Sequence, residues 1–181
     1  MSDRESLAAL LRERSISFGD FRLASGQQSH YYIDARKTTM SAQGQLLLGR
    51  LGLTAIREAG WMPAAVGGLT MGADPVAFAI ARTSVDQPPL IQAFSVRKAV
   101  KDHGTSRRVE GNFSPGDPVV VLEDVITSGG SALQAIEVIG AEGGRVLGVL
   151  AVVDREQGGR QAIEASGLGV VVLTTSHELG L

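Results

Sequence analysis

The chain has 181 residues, 44% of them hydrophobic, a formal net charge of −2 and no cysteine. That length suits one domain, or one with a small appendage, and a mean hydropathy of +0.12 is enough for a buried core. Disulfides and thiolate metal sites are excluded, the charge argues against a general nucleic-acid surface, and no apolar run approaches the roughly 20 residues of a membrane span.

The N-terminal MSDRESLAALL carries acids and only a short apolar run, so it reads as neither signal peptide nor membrane anchor, and a soluble cytoplasmic protein is expected. Ser2 and Glu5 stand in capping-box spacing ahead of Leu7, Leu10 and Leu11, which predicts a helix over 3–14. FRLASGQQSHYYIDAR reads as two short strands around a turn at Gly26. From Ser41, the residues Leu46, Leu47, Leu51, Leu53 and Ile56 keep a helical period that ends near Gly60. Strand and helix patterns then alternate. Strands are predicted at 64–69, 89–96, 119–122, 145–153 and 169–174, with helices over Asp74 to Arg82, from Gly129 or Gly130 onward, and over Gln157 to Ser166. Alternation with apolar strands argues for an α/β domain with a mainly parallel central sheet flanked by helices. Residues 1–60 do not fit the alternation and are expected to form a small lobe against 61–181 within a single domain.

VVVLEDVITSGGSALQAI (119–136) concentrates the chemistry. Val119 to Leu122 form a continuous apolar run suited to a strand covered on both faces, and it leads into Glu123 and Asp124, which gain nothing from a core. In parallel α/β sheets ligands bind beyond the carboxyl ends of the strands, where the 127–131 turn falls. Gly129 and Gly130 let backbone approach a ligand, the following helix offers unpaired N–H groups, and Thr127, Ser128 and Ser131 add hydroxyls. A phosphate monoester fits that cradle, while the two acids suit sugar hydroxyls; ribose 5-phosphate satisfies both. The ordinary alternative is a capped βα turn with solvated acids. No Walker A or GxGxxG pattern is present.

The run Glu-Asp-Val-Ile-Thr-Ser-Gly-Gly-Ser resembles the 5-phosphoribosyl 1-pyrophosphate (PRPP) signature of type I phosphoribosyltransferases. The resemblance implies that Glu123 and Asp124 hold ribose hydroxyls, that Thr127, Ser128, Gly129, Gly130 and Ser131 hold the 5-phosphate, and that Val125 and Ile126 also bind PRPP. It also implies a hood-like N-terminal lobe contributing to the base site. The basic stretch FSVRKAVKDHGTSRR contains RKxxKxHG as Arg97, Lys98, Lys101, His103 and Gly104, and this resembles the catalytic loop of orotate phosphoribosyltransferases. Such a run is usually a solvated charged face; in a pyrophosphate-releasing enzyme it can neutralise the leaving group. Five Lys/Arg between 97 and 108 repel one another, so this segment is expected to be mobile without ligands. FRLASGQQSHYYIDAR resembles the family's orotate region, AVVDREQGG its strand-end segment, and GGLTMGADP its pyrophosphate loop.

The family reading implies PRPP contacts at Thr70 and Met71, orotate contacts at Tyr31, Tyr32, Thr127 and Arg155, and catalytic roles for Arg97, Lys98, Lys101, His103 and Asp124. It further implies Mg²⁺ carried on PRPP rather than in a dedicated protein cage, a non-proline cis peptide near Leu69–Thr70, and a homodimer whose basic loop completes the neighbouring site. Two positions depart from the pattern: Ala24 and Met71 stand where many relatives have lysine, and Arg22 or Arg36 is available to replace part of that charge. His30 and His177 lack metal-ligand spacing and read as structural or surface residues. The rivals are a purine or uracil phosphoribosyltransferase, whose base has no carboxylate for Arg155, and a non-catalytic PRPP sensor that binds nucleic acid. The intact basic loop argues against the second.

Overall fold

In the computed structural model, residues 1–22, 28–99 and 108–181 are described. Ser2 opens the first helix as its spacing predicts. Its hydroxyl accepts the Glu5 N–H at 3.2 Å and the Glu5 carboxylate accepts the Ser2 N–H at 2.7 Å. This helix, α1 (Asp3–Arg14), buries Leu7, Leu10 and Leu11. Strands β1 (Ile16–Arg22) and β2 (Gln28–Ile33) pair antiparallel with Ile16 opposite Ile33; the expected turn at Gly26 lies outside the described residues. A one-turn helix, α2 (Arg36–Thr39), follows. Its RKTT sequence has no apolar period to announce it, and its buried residues are Thr38 and Thr39. Helix α3 (Ala42–Glu58) is capped by Ser41, whose hydroxyl accepts the Gly44 N–H at 3.0 Å.

Apart from β5, a short strand that the sequence reading did not assign, the remaining chain alternates as expected: β3 (Ala65–Leu69), α4 (Ala73–Asp86), β4 (Gln92–Val96), β5 (Val109–Gly111), β6 (Pro118–Ile126), α5 (Gly130–Ala141), β7 (Arg145–Asp154), α6 (Gly159–Glu164) and β8 (Gly169–Thr175). Helix α4 runs past the predicted Arg82 to Asp86, and three further differences from the sequence reading have a local physical reason. Strand β4 begins at Gln92 instead of residue 89, because Pro88 and Pro89 offer no N–H to a ladder. Strand β6 continues past Leu122 through both acids, because β7 runs alongside and pairs Glu123 with Ala151 and Ile126 with Asp154. Helix α6 starts only at Gly159, since Gly158 sits in the left-handed region at φ 86°.

The six strands lie in the order β5-β4-β3-β6-β7-β8, parallel throughout except for the β4–β5 edge. Val120 and Leu122 of β6 join α1, α3 and α4 in one core, with Leu11, Leu48, Ile56 and Ile80. Val119 and Val121 join α5 and α6 in the other, with Ala135, Ile139 and Ile163. The central strand is thus covered on both faces, as its unbroken apolar run required. Strand β5 also ties together the ends of the basic segment. Arg97 N–H donates to Arg108 O at 2.8 Å, and Arg108 Nη2 donates to Arg97 O at 3.0 Å and Lys98 O at 3.1 Å.

Candidate active site

Chain order reverses between β3 and β6. Strand β3 is followed by α4 on one face of the sheet and β6 by α5 on the other, so the loops after the two strands diverge and leave a crevice. A pocket of about 590 Å³ occupies it. Its walls are the β3–α4 loop at Thr70–Gly72, the β6 end and following turn from Glu123 to Ser131, and Arg155 from the end of β7. Tyr32, Asp34 and Arg36 close it from the N-terminal segment, and Arg22 and Lys98 also border it.

The phosphate-sized cradle is built by close backbone packing. Gly129 stands at φ 80°, and a Cβ there would lie 2.7 Å from the Gly159 carbonyl oxygen. Helix α5 therefore begins with no side-chain cap, leaving its first N–H groups to the pocket. Across the crevice, a non-proline cis peptide joins Thr70 to Met71, one residue beyond the expected position. Gly72 is packed against the other wall: a Cβ there would sit 2.5 Å from Asp124 Oδ1.

The two acids differ. Asp124 is half-buried, and its Oδ1 accepts the Val125 N–H at 2.9 Å. Glu123 is only 8% exposed, and burial, with the neighbouring Asp124 charge, pushes its carboxyl well above the usual carboxylate range, partly countered by Lys98. With a folded-state pKa above the ordinary 4.5, protonated Glu123 contributes stability fully below pH 4.5, and that contribution is lost as pH rises through the folded value. Glu123→Gln, a mimic of the protonated acid, is therefore expected to melt higher than the parent at pH 8 without ligands, the gap closing on acidification toward pH 4.5. Thermal melts across pH check this; a gap that widened on acidification would reverse the assignment.

Arg155 is 5% exposed, an unusual burial for a guanidinium. It lies 4.5 Å above the centroid of the Tyr31 ring and donates from Nη2 to Ser29 Oγ at 3.1 Å. Its Nε has no partner among the described residues. Tyr31 thus supports the arginine from below, while Tyr32 lines the pocket. Arg97 does not border the pocket, because its guanidinium pairs with Glu110 at 2.9 Å. Lys98 does border it, in its own chain. Lys101 and His103, and most of the segment expected to be mobile, lie outside the described residues. His30 is a surface residue paired with Asp20 at 3.1 Å. Among the described residues no three His, Asp or Glu side chains cluster as a metal site.

Sequence reading passed over Asp34, whose Oδ1 accepts Arg36 Nε at 2.8 Å. The available signal was an acid directly after an apolar strand end, the same pattern that drew attention to Asp124.

A doubly wound sheet with this cradle and acidic strand end at its switch point defines a type I phosphoribosyltransferase fold. No protein-family model matches the chain. Individual relatives do. An orotate phosphoribosyltransferase of Aquifex aeolicus is 44% identical over 182 residues, spanning 99% of this chain and 98% of that protein. This chain belongs to the orotate phosphoribosyltransferase family. Among solved structures, a phosphoribosyltransferase from Corynebacterium diphtheriae superposes with a TM-score of 0.88 at 36% identity, covering all of both chains. Mycobacterium tuberculosis orotate phosphoribosyltransferase in complex with PRPP gives 0.83 at 39% identity, covering 99% of this chain and 100% of that one.

Proposed function

We propose that this protein transfers the 5-phosphoribosyl group of PRPP to orotate, giving orotidine 5′-monophosphate and pyrophosphate, the step that commits orotate to pyrimidine nucleotide synthesis. The observation that carries this reading is Arg155, a buried guanidinium at the pocket wall, stacked on Tyr31 and with an unpartnered Nε. A planar cation so placed suits a carboxylate, which orotate has and adenine, hypoxanthine and uracil lack.

The cradle from Thr127 to Ser131 takes the 5-phosphate on backbone N–H groups and hydroxyls, with Val125 and Ile126 lining its approach. Glu123 and Asp124 accept hydrogen bonds from the ribose hydroxyls. Thr70 and Met71 face the pyrophosphate, and Tyr32 and Thr127 flank the base beside Arg155. The lobe of residues 1–60 contributes Tyr32 to the base site, while 61–181 form the PRPP-binding core and also supply Arg155 and Thr127 to the base.

Orotate N1 forms its bond to ribose C1 as the C1–oxygen bond breaks and pyrophosphate leaves with the electron pair, through a transition state with oxocarbenium character. His103, or Asp124 through the ribose, assists the proton lost from N1. The two acids at the β6 end fit a hydrated divalent ion riding on PRPP, and Mg²⁺ bound there would offset charge on pyrophosphate. Lys98, Lys101, His103 and Arg97 add positive charge as the leaving group develops its own. In the homodimer we propose, the basic loop of one subunit reaches the site of the other. Neither Thr70–Gly72 nor Thr127–Ser131 carries a cation, and Arg36, beside Met71, is the cation we assign to the pyrophosphate side in place of the missing lysines. Arg36→Ala is expected to raise the KM for PRPP by roughly tenfold, the size of one charge-assisted hydrogen bond, with little change for orotate. Equal effects on both substrates, in steady-state kinetics, would remove Arg36 from that side.

The direct test follows orotate loss by absorbance with purified protein, PRPP and Mg²⁺. Orotidine monophosphate and pyrophosphate are expected in equal amounts, with no turnover of adenine, hypoxanthine or uracil and none after chelation of the metal. Use of one of those bases with orotate untouched would overturn the assignment, and PRPP binding without any turnover would favour the regulatory rival.

A further inference from the structure

Arg155 is gripped from its backbone as firmly as from its side chain. Its N–H donates to Ile126 O at 2.9 Å, and its carbonyl accepts Ser176 Oγ at 3.0 Å. The residue that follows, Glu156, turns the chain away at φ 57° and is the one described non-glycine residue with positive φ. Glycine enters this region freely and glutamate does not, so the turn alone gives no reason for glutamate. Its side chain supplies one. Glu156 Oε2 accepts the His177 N–H at 2.8 Å and lies 2.9 Å from Ser176 Oγ, whose single hydrogen it shares with the Arg155 carbonyl, while the Glu156 N–H donates to Asp154 Oδ1 at 2.8 Å. Ser176 N–H closes the network on Asp154 O at 2.8 Å. The end of β7 is thereby bolted to the turn after β8 around a single residue, Arg155.

We propose that Glu156 is a positioning residue for Arg155, and that its clamp onto Ser176 and His177 sets how strongly the site prefers a carboxylated pyrimidine. This rests on the orotate reading above. A guanidinium recognises a carboxylate through two parallel hydrogen bonds, so a small rotation of its anchoring backbone weakens both together. The donors facing Glu156, the His177 N–H foremost, hold its carboxyl below the usual carboxylate range, so the clamp stays ionised at neutral pH. An unfavourable left-handed residue kept in place by tertiary hydrogen bonds, one position from the proposed base-recognising side chain, is the arrangement expected where backbone geometry has been set for a ligand.

The test is a double-mutant cycle on the full-length enzyme, begun by measuring orotate turnover by the unmodified protein. Glu156→Gly removes the clamp but suits the turn, so folding is preserved; Glu156→Gln keeps one acceptor. Glu156→Gly is expected to raise the KM for orotate on the order of tenfold, within the range for residues sharing one hydrogen-bond network, with the KM for PRPP almost unchanged and Glu156→Gln intermediate. In an Arg155→Ala background the orotate effect of Glu156→Gly should vanish. An unchanged orotate KM, equal shifts for both substrates, or an undiminished effect without Arg155 would each overturn the proposal while leaving the function intact. No orotate turnover by the unmodified protein would instead defeat the functional reading.

Discussion

Arg155→Ala is expected to raise the KM for orotate by about two orders of magnitude and to leave that for PRPP nearly as it was. The substitution removes a charge-assisted, two-pronged pair with the orotate carboxylate, about 3 kcal/mol or roughly 150-fold. Because the guanidinium is buried on Tyr31 and Ser29, water cannot fully replace it. Arg155→Lys should recover little, since an ammonium neither stacks on the ring nor presents two parallel donors. Steady-state kinetics with each substrate varied in turn separates the outcomes. A rise in the PRPP KM with orotate unaffected would mean that the arginine serves a phosphate.

The second large effect concerns the basic loop. Lys101→Ala is expected to lower kcat by about two to three orders of magnitude, the cost of removing one donor from a developing oxyanion, while orotate binding barely changes. The charge that Lys101 meets appears late, so its loss falls on the transition state more than on the bound substrates. Asp124→Asn should act earlier, weakening PRPP use by roughly 10- to 150-fold through loss of a charged acceptor. Each mutant retains what the other lacks. In a heterodimer with shared sites, one site has an intact Asp124 and receives an intact Lys101, so an equal mixture should recover about a quarter of normal activity. A mixture no more active than its parts, after subunit exchange is verified, would confine each loop to its own subunit.

Elements whose signal is local were legible from the chain alone. The Ser2–Glu5 box, the helical period that begins at Ser41 and the all-apolar strand at 119–122 each carry their physics within a short stretch. So does the Thr-Ser-Gly-Gly-Ser cradle, which lies beyond the carboxyl end of its strand as expected. What escaped depends on neighbours distant in sequence. Strand β5 is only three residues, Val-Glu-Gly, that become a strand because β4 offers an edge, and β6 extends through two acids because β7 continues beside it. Asp34 and Arg36 reach the pocket because α2 turns the chain there, and RKTT has no pattern that predicts the turn. Glu156 is the extreme case. Its backbone conformation follows from acceptors and donors around residue 176.

The knot of hydrogen bonds between Arg97 and Arg108 also works as a ruler. With Arg97 fixed at the end of β4, Lys101 is four residues along the chain, and covalent geometry limits its Cα to about 14 Å from that peg. Any pocket served by Lys101 must therefore open within that leash plus one lysine side chain of the β4–β5 edge. For a second copy this is a condition on how the two bodies dock, set before any chemistry begins. A pairing that turned the edge away would leave two well-folded subunits, each with its substrates bound, and no lysine long enough to reach across.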